Sequence, residues 1–137
     1  MSDVYRARAG MGVVVRGSVL AATDGFSARY DLDRAQGVFS RPTHKLVGQS
    51  YVGKILVLDA AKGGVATAWM LHAMRTTGIV PAALILNAVN PIMVQGAALA
   101  DFTMLAGFDG DITVLLRTGD EVEIDPDAPL VRVLKRA

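Results

Sequence analysis

Lys54-Ile55-Leu56-Val57-Leu58-Asp59-Ala60-Ala61-Lys62-Gly63-Gly64, running on into the segment Val65 to Thr76, is the stretch on which the fold turns. Four consecutive apolar residues, Ile55 to Leu58, read as a strand buried on both faces. The glycine pair then allows a tight reversal, and from Val65 the period changes to 3.6. Val65, Ala68 and Trp69 make one stripe, and Ala66, Met70, Ala73 and Met74 widen it. Arg75 in the last turn and Gly78 just beyond are stop signals. A strand that ends in a glycine turn and opens a helix can present free backbone N–H groups to an anion.

Downstream the pattern repeats. Ala82 to Leu86 is a second strand, Asn87 to Pro91 a turn, and Pro91 can start a helix running from Ile92 to about Leu105. Gly107 to Asp111 breaks it, and Ile112 to Leu116 returns as a strand. Strand–helix–strand–helix–strand predicts a parallel layer with right-handed crossovers. Upstream, Val13 to Leu20 is the first strand candidate, with Gly17 a possible bulge, and Phe26 to Asp33 is a looser one. The polar mixture after it reads as a surface loop up to Gln49. After Thr118-Gly119-Asp120, the segment Val122-Glu123-Ile124 alternates, with Glu121 and Glu123 on the solvent side. Leu130 to Leu134 is a last extended piece. The fold class is therefore α/β, with a parallel central layer flanked by helices and additional β-strands at the chain ends.

The chain has 137 residues, enough for one domain spanning 1–137 but not for two. With 52% apolar and 20% charged residues it is too apolar for disorder. A net charge of +1 and few aromatics give no reason to expect nucleic acid or an anionic membrane as partner. There is no cysteine, so no thiolate-held iron–sulfur cluster can be built from this chain. No apolar run reaches membrane-spanning length and no export signal is read, which makes a cytoplasmic location the expectation.

Three places could carry chemistry. At Lys62-Gly63-Gly64, the amides of Gly63, Gly64, Val65 and Ala66 could cradle a carboxylate or phosphate, with Lys62 adding charge. The alternative is a tight connection and nothing more. Thr67 could cap the helix or touch a ligand. His44, between Arg41 and Lys45, could face an anionic ligand, or be a solvated loop histidine. Asn87 and Asn90 could shape their turn, or line the mouth formed with Gly63, since the ends of parallel strands are a favoured binding edge. His72 reads as packed along the helix flank. Trp69, Met70, Met74, Met93 and Met104 read as core or subunit contact. Two histidines this far apart define no metal site.

In order and spacing, Arg16-Gly17, Pro42, His44, Gly48-Gln49-Ser50, Gly53-Lys54, Lys62-Gly63, Gly78, Pro81-Ala82-Ala83, Asn90-Pro91-Ile92 and Gly96 resemble the small, swivel-domain subunit of the aconitase X family. The resemblance covers about Val15 to Leu116. It implies a swivelling β/β/α domain that closes over a larger, cysteine-bearing catalytic subunit holding iron or an iron–sulfur cluster, and it leaves room for a higher heteromer. This chain alone would bind no cofactor. Known members are hydro-lyases: one branch is similar to cis-3-hydroxy-L-proline dehydratases, and an archaeal branch dehydrates 5-phosphomevalonate. On this basis a small hydroxy or hydroxy-amino carboxylate is the expected substrate, with phosphomevalonate the alternative. A structural or regulatory subunit and a stand-alone anion-binding module are the further alternatives. The residues expected to serve catalysis are Lys62, Thr67 and His44. Those expected to hold substrate are Gly63, Gly64, Val65, Asn90 and Arg41. The family's serine after the turn glycine, assigned a base role, is Gly64 here, so that hydroxyl is missing.

Overall fold

The computed structural model describes residues 3–27, 31–61 and 65–137. Lys62, Gly63 and Gly64 lie outside the described residues, as do the side chains of 65–68, 92 and 93. Nine strands and three helices are described: β1 Val4–Met11, β2 Val15–Ala21, β3 Leu32–Asp33, β4 Val38–Phe39, β5 Ile55–Ala60, α1 Val65–Thr77, β6 Ala83–Ala88, α2 Pro91–Leu99, β7 Thr103–Phe108, α3 Ile112–Leu115, β8 Glu121–Asp125 and β9 Leu130–Lys135. Seven strands close into a barrel in the order β1-β7-β6-β5-β2-β8-β9, and β9 pairs back to β1. β2, β5, β6 and β7 run parallel, whereas β1, β8 and β9 join antiparallel. β3 and β4 form a separate small hairpin.

The apolar run of β5 is explained by two cores. Ile55 and Val57 point into the barrel with Val19, Ile85, Leu105, Val122 and Val131. Leu56 and Leu58 point outward, under Leu71 and Met74 of α1 and beside Ala97 of α2. Helices cover this half of the barrel, so both faces of its strands are dry. On the other half, among the described residues, no helix covers the outside, and β8 alternates: Val122 and Ile124 are buried, while Glu121 is exposed and Glu123 half-buried.

Several sequence expectations give way. α2 ends at Leu99, not near Leu105. The chain reverses through Asp101, whose φ is +56°, and Thr103–Phe108 becomes β7. Met104 and Leu105 face opposite cores, and a run buried on both faces carries no period with which to tell strand from helix. Ile112–Leu115 is a helical turn rather than a strand. Asp111 caps it, and Ile112 and Leu116 plug the barrel interior. β1 was not anticipated. Gly17 carries no bulge, since it stays in register with Val122; the register shift lies at Glu121/Val122 in the β8–β9 pair. Trp69 is 68% exposed, and the helix turns Leu71 and Met74 inward instead. The segment before Gln49 is no solvated loop: Phe39, His44 and Leu46 are all buried. No helix among the described residues is long and apolar enough to cross a membrane.

Candidate functional site

The parallel strands bring three chain connections to one end of the barrel. β5 leads through 62–64 into α1, β6 through Val89-Asn90 into α2, and β7 through 109–111 into α3. The register aligns Ala60 with Ala88 and Leu86 with Ala106, so these exits are neighbours. Such carboxyl ends of parallel strands are where ligands bind in α/β sheets.

One amide ties the three exits together. Asn87 Nδ2 donates to Asp59 Oδ1 at 2.9 Å and to Asp111 Oδ1 at 2.8 Å. Its Oδ1 accepts from the Ile112 amide at 2.9 Å. The Thr113 hydroxyl and amide also donate to Asp111 Oδ1. Hydrogen bonds from the Thr113 hydroxyl and the Asn87 amide favour the charged carboxylate, so the Asp111 pKa lies below its ordinary value. The Asn87 bonds reach 24 to 28 residues away to the β5 and β7 exits, rather than acting locally within the turn from Asn87 to Pro91. Asn90 is half-buried in the β6–α2 connection.

A second group lies alongside the end of β5. The Asp59 amide donates to the Asp24 carbonyl at 2.8 Å, the Phe26 amide donates to the Ala60 carbonyl at 2.9 Å, and Phe26 bridges to Ala61. Segment 24–27 thus runs beside the last described residues before Lys62. On it sits His44, whose Nδ1 accepts from the Leu46 amide at 3.0 Å. The proton is therefore on Nε2, which donates to the Gly25 carbonyl at 2.9 Å. The ring stacks on Phe39 with centroids 4.6 Å apart, and Nε2 lies 3.8 Å from a carboxylate oxygen of both Asp24 and Asp31. The solvated-histidine reading fails, because the His44 side chain is wholly buried. With both ring nitrogens engaged, this imidazole holds the 24–27 segment in place.

Arg41 is the cationic member of the group. Its Nε lies 2.8 Å from Asp31 Oδ1, an ion pair without the alignment of a hydrogen bond, and Nη2 lies 4.0 Å from Asp24. The Arg41 side chain is 35% exposed, while its Nε is buried against Asp31. Asp31 also accepts from the Ser27 amide at 2.9 Å. Burial raises the pKa of Asp24, but the amides of Gly25 and Lys45 and the Arg41 charge outweigh it, and the net shift is downward. Lys45 Nζ is spent on Thr23, 2.6 Å from its hydroxyl and 2.9 Å from its carbonyl.

Of the sequence-proposed residues, Arg41 and His44 meet in this group and Asn90 belongs to a neighbouring exit. Lys62, Gly63 and Gly64 lie outside the described residues. The backbones of Val65 and Thr67 open α1, and their side chains lie outside the described set. His72 is exposed, with Trp69 edge-on at 6.4 Å. Sequence reasoning missed Asp24, Asp31 and Asp59. The signals available were the Asp24-Gly25 turn dipeptide and an aspartate closing an otherwise apolar strand. Among the described residues no group of three His, Asp or Glu side chains could hold a metal.

A family model described as the aconitase X swivel domain matches residues 4–133. The chain is 31% identical over 122 residues to the phosphomevalonate dehydratase small subunit of Pyrococcus horikoshii, covering 89% of each chain. To the protein of that name from Methanothermobacter thermautotrophicus it is 32% identical over 117 residues, covering 85% of this chain and 89% of that one. Among solved structures, the crystal structure of Thermococcus kodakaraensis aconitase X in its holo-form superposes with a TM-score of 0.89 at 27% identity, over 97% of this chain and 99% of that one. The solution NMR structure of a UPF0107 protein shares the fold, with a TM-score of 0.83 at 24% identity, over 98% of this chain and all of that one.

Proposed function

This chain belongs to the aconitase X swivel-domain family, and on that premise we propose that it is the small subunit of a two-chain dehydratase acting on a small phosphorylated hydroxy acid of the phosphomevalonate kind. The observation that carries this reading is the end-to-end similarity to phosphomevalonate dehydratase small subunits. It displaces the earlier preference for cis-3-hydroxy-L-proline or another hydroxy-amino acid. Arg41, a part-exposed cation anchored by Asp31 beside the β5 exit, supports a substrate with strong negative charge.

The reaction removes water across a carbon–carbon bond, taking a proton from one carbon and a hydroxyl from the next. A thiolate-held iron–sulfur cluster does not fit this chain, which has no cysteine, and we assign the iron or iron–sulfur cluster to the larger, cysteine-bearing subunit. Work left to the small subunit is binding, orientation and exclusion of water. Backbone amides from Gly63 to Ala66, with Lys62, would hold a carboxylate or phosphate at the start of α1. Arg41 would pair with the second anionic group. His44 acts as a positioning residue through Gly25, and Asn90 and Thr67 would line the same mouth. Gly64 provides no hydroxyl, so the proton-abstracting base is assigned to the partner. Closure of the domain would expel bulk water and strengthen each of these contacts.

The test is co-expression with the cysteine-bearing chain, followed by an assay for water loss from 5-phosphomevalonate and, in parallel, from cis-3-hydroxy-L-proline. Turnover of the first alone is the expected result; turnover of the second alone overturns the substrate assignment. Lys62→Ala and Arg41→Gln should each raise KM in the assembled enzyme. Unchanged kinetics in either variant removes that residue from the site.

A further inference from the structure

A charge ladder crosses the uncovered outer face of the barrel and stops one partner short. Arg16 of β2 stands opposite Glu123 of β8, and Glu123 stands opposite Arg132 of β9. Both arginines hold the one carboxylate: Arg16 Nε lies 2.6 Å from Oε2, and Arg132 Nη1 lies 3.0 Å from Oε1. Arg132 in turn faces Val4 of β1, and Arg6, opposite Leu130, is its diagonal neighbour on the same face. Diagonal pairs lie roughly 7–8 Å apart, close enough for two long side chains to share one ligand. Among the described residues no carboxylate lies within ion-pair distance of Arg6, whereas Arg8, Arg16, Arg132 and Arg136 all have one.

Beside Arg6 and Arg132 opens a cleft of about 430 Å³, where β1 leaves β7 and joins β9. Its apolar wall is Phe108, Leu115 and Leu130, and Tyr5 closes one side with its hydroxyl committed to Arg136. The opposing charge at the rim is Asp109, fully exposed and 3.7 Å from Arg8. The charged residues lining the cleft are Arg6, Arg132 and Asp109, a net charge of +1, and Asp109 is itself paired with Arg8. Arginine forks match carboxylate and phosphate oxygens in pairs.

We propose that this cleft is a binding site for a small metabolite bearing an oxyanion, phosphate or carboxylate, on a short apolar body, with Arg6 as the principal ligand and Arg132 as the second. The proposal does not rest on the dehydratase reading. The test is titration of the isotope-labelled full chain with inorganic phosphate at constant ionic strength, followed by amide NMR, with succinate as a second arm. Saturable shifts at Tyr5, Arg6, Gly110 and Arg132 are expected, and the tighter of the two probes identifies the preferred oxyanion. Arg6→Gln should weaken binding at least about tenfold and Arg6→Lys less, because the charge remains but the fork is lost. Arg75→Gln, exposed in the last turn of α1 and away from the cleft, should leave it unchanged. No saturation with either probe overturns the proposal, as does equal loss in Arg6→Gln and Arg75→Gln. Shifts confined to the start of α1 also overturn it, while leaving the proposed function intact.

Discussion

The two halves of this barrel share one interior and differ in what lies outside it. On the parallel half, β5, β6 and β7 are buried on both faces, inside by the barrel core and outside by α1 and α2. On the antiparallel half, β8 and β9 bury one face and set charged residues on the other. The parallel half needs continuous apolar sequence and gathers its strand exits at one end, because each crossover must leave at the same end. The antiparallel half spends its outer face on ion pairs. Stability should therefore be concentrated in one half and surface electrostatics in the other.

The strongest test of this asymmetry pairs two outward-facing positions. Leu58→Ala removes side-chain bulk from under α1 and should cost about 2–5 kcal/mol, transfer and cavity together. Glu121→Ala on β8 should change stability by no more than about 0.5 kcal/mol. Urea unfolding of both variants decides the matter, and equal losses would mean that α1 and α2 do not seal the outer face.

Asn87 comes next in size. Its Nδ2 and Oδ1 make three hydrogen bonds that tie β5, β6 and α3 together. Asn87→Ala leaves the Ile112 amide and two carboxylates short of a partner, and should cost about 1–3 kcal/mol. Asn87→Asp should be worse at neutral pH than at pH 4, because it sets a third carboxylate against Asp59 and Asp111. A denaturation series over pH checks both statements.

These contacts also mark how far the sequence could be read. β5 was legible because four apolar residues in a row have few other uses, and β8 because Val122 and Ile124 alternate with glutamates. Pro91 correctly marked the start of α2. β1 was missed although Tyr5 and Ala7 alternate with Arg6 and Arg8, because alanine and arginine carry little strand propensity. α3 was taken for a strand because a single helical turn is too short to show a period; the Asp111 cap was its one signal. Burial of His44 could not be seen from Arg41, Pro42, Thr43 and Lys45. It arises from stacking on Phe39 and from a carbonyl 19 residues away. The candidate site was legible as a strand exit, not as a network, since Asp24, Asp31 and His44 meet only through tertiary contacts.

Acid sensitivity is shared by the two halves: just before β8, burial raises the pKa of Asp120, but the amides of Ala137 and Arg117 and the Arg136 guanidinium outweigh it, and the net shift is downward. Burial raises Asp24 but amide donors outweigh it, while the Thr113 and Asn87 bonds lower Asp111, so both carboxyls titrate below the ordinary 3.8 in the folded chain. A depressed folded pKa gives stability that is present above the unfolded value and lost as pH falls through the folded one. Unfolding free energy should therefore hold steady down to about pH 5 and fall below about pH 4. Asp111→Asn should flatten that decline.

The smallest effect belongs to the outer ladder of the antiparallel half. Arg16 is largely exposed, and its partner Glu123 keeps Arg132 when Arg16 is removed. Arg16→Gln should then cost no more than about 1 kcal/mol, and less in high salt, because an exposed pair gains little over water and is screened. The measurement is the variant-to-parent difference in urea midpoint at low and at high sodium chloride. A larger, salt-independent loss would mean that this half is held by its surface charges as firmly as the other half is held by its helices.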